Sequence, residues 1–143
     1  VFNLKELNNI KNFYFFDENF FMYLENDDLC KRLNSYNRNI FIIPRSRIKH
    51  LGGKAVNSEY NYEIELSRNW HWVWSKFYFN KKHYGYLFAF INGLPSLLSS
   101  IIKFFLYFLT KKNNEKQIYL QRVLGFLNAA AGKKSSFRPK IKN

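Results

Sequence analysis

Glu25, Asn26, Asp27 and Asp28 place three carboxylates within four consecutive residues, between the aromatic run Phe20-Phe21-Met22-Tyr23 and the apolar Leu29. Carboxylates gathered in this way can act as a general base or complement the first turn of a helix. A calcium loop is excluded, because the alternating ligand spacing and the central glycine are missing. Downstream, His50 stands beside Gly52 and Gly53, where a neutral imidazole and a bare backbone could approach an anionic ligand. Arg45, Arg47, Lys49 and Arg68 are candidate phosphate contacts, since guanidinium matches phosphate geometry. The chain shows neither a Cys/His zinc pattern nor a Ser-His-Asp order.

These residues need elements to position them. Asn26 reads as an N-cap, and Leu29, Cys30, Leu33 and Tyr36 recur at helical spacing until Asn37 ends the run. Asp27 and Asp28 then fall in the first turn, where a carboxylate is worth about 0.3–1 kcal/mol against the helix dipole. Residues 39–44 have strand composition, and residues 47–50 read as a second short strand before the double glycine forces a turn. Cys30, between Leu29 and Leu33, is expected to be a small buried residue, not a nucleophile. As the only cysteine it makes no intrachain disulfide, which fits a reducing compartment.

Beyond Ser58 the pattern turns helical. Leu66, Trp70, Val73, Trp74 and Phe77 form one stripe, while Trp72 and Phe79 fall off it, leaving a helix that is aromatic nearly all round. Residues 84–110 are apolar enough to be weighed as a membrane span, yet Pro95 divides them into pieces of about 9 and 16 residues, each shorter than a span needs. Lys81 and Lys82 precede the run and Lys111 and Lys112 follow it, so a helical hairpin lying on an anionic membrane satisfies both pairs better than a crossing. A last helix, 115–131, carries Leu120, Val123, Leu124 and Leu127 on one face and stops at Gly132, and a basic tail follows.

The charge is divided. Residues 1–65 hold nine Lys or Arg against nine Asp or Glu, whereas residues 66–143 hold fourteen against Glu115 alone, which accounts for the net charge of +13. A neutral, carboxylate-bearing half suits chemistry, and a cationic, aromatic half suits an anionic surface. A nucleic-acid-binding module shares that composition. Here, however, the cations flank an apolar run, and no DNA or RNA motif is present. No nucleic acid is expected as a partner.

Taken in order, Phe16, Asp17, Glu18, Phe20, Phe21, Tyr23, Glu25, Asp28, Leu29, Cys30, Arg32, His50, Gly52 and Gly53 match a motif over about residues 13–55 that resembles family 2 glycosyltransferases, especially the bacterial rhamnosyltransferase-like branch. The resemblance implies the C-terminal part of a GT-A (nucleotide-diphosphosugar transferase) domain, an α/β fragment with short strands, followed by a mostly helical membrane-associated tail. It divides the chain into a catalytic part at 1–58, an aromatic-rich helical region at 59–132 and a basic tail at 133–143.

It further implies inverting transfer of a sugar from a nucleotide-diphosphate donor to a saccharide or polyprenyl-linked acceptor, in cell-surface polysaccharide synthesis at the cytoplasmic face of a bacterial inner membrane. The base is expected in the ENDD segment, at Glu25, Asp27 or Asp28. Arg47, Lys49, Arg68, Gly52 and Gly53 are expected to bind substrate, with His50 near a divalent cation, Mg2+ or Mn2+. Two departures stand out. Asn26 replaces the second acid of the family's Glu-Asp pair and takes no proton at neutral pH. The family's Asp-x-Asp is absent, so the chain reads as the C-terminal portion of a longer enzyme and is expected to be inactive alone. A non-catalytic membrane adaptor is the reading in which Asn26 marks lost activity.

Overall fold

The computed structural model describes residues 7, 10, 13–41, 43–49 and 60–139. Among these residues four helices follow in order: α1 (Glu25–Ser35), α2 (Asn61–Tyr84), α3 (Tyr86–Leu109) and α4 (Asn113–Ala130). No strand occurs among the described residues. This overturns the expected α/β fragment of a GT-A domain with short strands. The segment 39–49 has the β-branched and aromatic composition of a strand but no partner strand among the described residues to form a ladder with. Its Ile40, Phe41, Ile43 and Ile48 are exposed, and the Ser46 amide closes a turn on the Ile43 carbonyl at 3.0 Å.

Helix α1 starts one residue earlier than its expected cap. Leu24, not Asn26, is the N-cap, and it makes no side-chain cap hydrogen bond. At the other end Asn37 takes a left-handed conformation (φ 54°), and the Arg38 amide reaches the Leu33 carbonyl at 3.0 Å, closing the helix in a Schellman turn. The helix buries Leu29 and Leu33 against Leu7, Ile10 and Phe13. Cys30 is exposed, contrary to expectation. It lies one residue past Leu29, about 100° away round the helix and off the buried face.

Helix α2 is the axis of the molecule. Trp70, Val73, Trp74 and Phe77 pack with Ala89 of α3 and with Phe126 and Ala129 of α4. On its other side α2 carries the 13–24 segment, where the Ser75 hydroxyl donates to the Met22 carbonyl at 2.7 Å. Residues following α4 cover a third side: the Trp74 indole N–H donates to the Lys133 carbonyl at 3.0 Å. The His71 Nε2–H donates to the Phe137 carbonyl at 2.8 Å, and its Nδ1 accepts the Ser135 hydroxyl at 2.9 Å. Burial holds the His71 ring below its ordinary pKa, and so neutral. Most of the aromatic surface of α2 thus has protein neighbours, with Trp72 left exposed.

Two glycines set the helix spacing. A Cβ on Gly125 would stand 2.5 Å from the Trp70 carbonyl oxygen, and one on Gly93 would stand 2.4 Å from the Phe126 ring. Only hydrogen in those places lets α4 lie this close to α2 and α3. Helix α3 continues through Pro95 without a break, correcting the expected division there. Proline forfeits one helical hydrogen bond, but α4 runs antiparallel along both halves of α3 and holds them in line, with Phe90 against Phe126 at one end and Tyr107 stacked on Tyr119 at the other. The hairpin is therefore α3–α4, turning at residues 110–112.

Candidate functional site

Helical geometry separates the acids that the sequence clusters. Residues 25, 28 and 32 share one face of α1, while 26 and 27 turn away from it. Asp28 is wholly buried, Asp27 and Asn26 are exposed, and Glu25 is half-buried.

Asp28 is the centre of an ion network. Its Oδ2 accepts from Arg32 Nε at 2.8 Å, and its Oδ1 lies 2.7 Å from Lys82 Nζ and 2.8 Å from His83 Nε2. Arg32 donates its remaining nitrogens to the carbonyls of Tyr14 and Phe15, both at 2.7 Å. Lys82 also meets Asp17 Oδ2 at 2.7 Å, and the same oxygen accepts the Tyr78 hydroxyl at 3.0 Å. Asp17 Oδ1 takes the Asn19 amide and side chain at 3.0 and 2.8 Å.

Burial alone would raise both carboxyls, but the donors outweigh it. Lys82 and Asn19 bring Asp17 down to about 2, and Lys82, Arg32 and His83 hold Asp28 below its usual range. Lys82 moves the other way: its hydrogen bonds to Asp17 and Asp28 outweigh desolvation and raise it. Burial and the Asp17 hydrogen bond push Tyr78 up to about 12. These groups are fixed in their charge states at neutral pH. Asp28, with both oxygens taken by Arg32, Lys82 and His83, is the tie between α1 and α2.

Glu25 differs from both aspartates. Its Oε2 is buried and has no hydrogen-bond partner among the described residues. Immediately before it, Tyr23 (φ 69°) and Leu24 (φ 66°) both adopt the left-handed conformation, which costs a bulky residue about 1–3 kcal/mol each. Packing sustains the strain: the Tyr23 ring meets Trp72 edge-on at 5.4 Å, next to the Ser75 bond to Met22. Tyr23, Arg68, Asn69 and Trp72 together line an open hollow of about 210 Å³. Its walls offer an aromatic surface, a guanidinium and an amide.

Of the other expected site residues, Arg68 lines this hollow. Arg47 and Lys49, like Arg45, are exposed in the irregular 43–49 segment, and no hydrogen bond or ion pair joins them to α1. His50, Gly52 and Gly53 lie outside the described residues. No three His, Cys, Asp or Glu side chains converge among the described residues as a metal would require. Asp17 and Asp28 are already saturated by cationic and neutral donors and offer no free oxygen to a divalent cation. Sequence reasoning missed Lys82, His83 and Tyr78. Only the i,i+4 spacing of Asp28 and Arg32 signalled any of the network. No family model matches the chain, and neither a curated protein nor a solved structure matches it.

Proposed function

We propose that this chain is the acceptor-side part of an inverting glycosyltransferase and that Glu25 is its general base. The orphaned, buried Oε2 of Glu25 carries the reading: it is the one carboxylate oxygen of the acidic segment that is withdrawn from water and still free to accept a hydrogen bond. In the proposed step Glu25 takes the proton of an acceptor hydroxyl as the hydroxyl oxygen bonds to the anomeric carbon of the sugar. The bond from that carbon to the nucleoside diphosphate breaks on the opposite face, and the electron pair leaves with the diphosphate.

The hollow formed by Tyr23, Arg68, Asn69 and Trp72 suits the acceptor, because an exposed aromatic surface beside planar hydrogen-bonding groups fits a pyranose ring and its hydroxyls. Recognition of the donor is assigned to residues outside the described set, and the transfer is expected of the full-length gene product. Replacing Glu25 by Gln there keeps the shape and removes the proton acceptor. Transfer from a nucleotide sugar to a saccharide or lipid-linked acceptor should fall by about 10²- to 10⁴-fold with helicity unchanged. Undiminished turnover would eliminate Glu25 from the mechanism.

A further inference from the structure

We infer that the outer face of α3 lies in the plane of an anionic bilayer, inserted to the level of the headgroup and acyl boundary without crossing. This surface is independent of the transferase chemistry proposed above. Leu87, Ile91, Leu98, Ile102, Phe105 and Leu109 are each more than half exposed. At 100° per residue they fall within a sector of about 60°, and from first to last they extend about 33 Å along the helix. So long an exposed apolar stripe marks an interaction surface.

Length and composition alone would allow α3 to cross a membrane. Its packing argues against that. Helix α4 is bound along α3 by the contacts at Phe126 and Tyr119, and Gln121 and Arg122 lie between those two levels. A crossing α3 would carry Arg122 to mid-bilayer, where an arginine is strongly disfavoured. On the opposite flank α2 would bring its own charges with it.

An in-plane orientation leaves α2 and α4 on the water side. It also puts Lys81, Lys111, Lys112 and Lys116 at the two ends of the stripe, Lys111 and Lys116 beside Leu109, as an amphipathic helix needs at anionic lipid. Lys82 is not among them, because Asp17 and Asp28 hold it. The lysine rim also decides against a second copy as the occupant. Two such faces would oppose like charges on chains that each carry +13.

The test is flotation of the whole chain with phosphatidylcholine vesicles, with and without phosphatidylglycerol. Binding is expected to need the anionic lipid, to weaken with salt and to be released by an alkaline carbonate wash. Leu98→Asp and Ile102→Asp, made separately on the solvent side of α3, should keep the far-UV circular dichroism and weaken binding by about tenfold or more. Binding that is unchanged in both variants overturns the inference. So does retention after the carbonate wash, which indicates a span. A wild-type chain that fails to float with anionic vesicles, or a dimer that these substitutions dissociate without any vesicle binding, overturns it as well. Failure here leaves Glu25 untouched, since that assignment is read from sugar transfer.

Discussion

Lys82, near the C-terminal end of α2, places its Nζ 2.7 Å from Oδ1 of Asp28, a carboxylate with no solvent exposure in the first turns of α1. The pair locks the acidic segment onto the bundle, while Glu25 keeps a buried oxygen that no described donor meets.

Removing one partner should cost far more than an exposed ion pair would. Asp28→Asn leaves Lys82, Arg32 and His83 without their shared anion. A loss of about 3–5 kcal/mol in unfolding free energy is expected by chemical denaturation, with α1 loosened from α2. Loss of less than about 1 kcal/mol would mean that the network contributes no more than a surface bridge.

Stability should fall at both ends of the pH scale. Asp17 and Asp28 have depressed folded-state values, so their contribution is complete above the unfolded carboxylate value of about 3.9 and is lost as pH falls toward 2. Tyr78 and Lys82 are raised. Their contribution is complete below about 10 and is lost as pH rises toward 12 and beyond. Thermal melting across the range should show a plateau between these limits, and Asp17→Asn should flatten the acid limb.

Gly125→Ala tests the helix spacing. The new methyl meets the rigid Trp70 carbonyl at 2.5 Å, so α4 must move away from α2. Overpacking of this kind costs about 1–3 kcal/mol, measurable as a lower denaturant midpoint. A neutral effect would place the two helices farther apart than described.

Lys111→Gly should act with opposite signs on two properties. Lys111 sits in the left-handed position (φ 56°) that ends α3, where glycine is about 1 kcal/mol more comfortable. The variant should melt higher yet bind anionic vesicles more weakly, because one rim cation is gone.

Trp72→Ala and Arg68→Ala, tested in the full-length gene product, should raise the KM for the acceptor more than they lower kcat, if the hollow holds the acceptor. Arg68 is exposed, so its replacement should move melting little, whereas Trp72→Ala removes the ring that Tyr23 packs on and should lower it. An unaltered acceptor KM in both variants would move the acceptor elsewhere.

Much of this architecture is written locally. The Leu29 and Leu33 face of α1, its end at Asn37, and the Leu66-to-Phe77 stripe of α2 follow from apolar spacing and turn chemistry. The strand composition of residues 39–44 misled, because β propensity describes side chains that suit a pleated surface and cannot supply the second strand that makes one. Pro95 misled in the opposite direction: it breaks an isolated helix, but here α4 braces the residues on both sides of it.

The amino-acid order by itself determined the acidic segment, the excess of cations after residue 65 and the apolar stretch of α3, since these are properties of covalent neighbours. Only the tertiary structure decided which acid is buried and tied. Lys82 and His83 reach Asp28 from a helix far along the chain, and a buried carboxylate takes its charge state from the donors packed around it, whatever their distance in sequence.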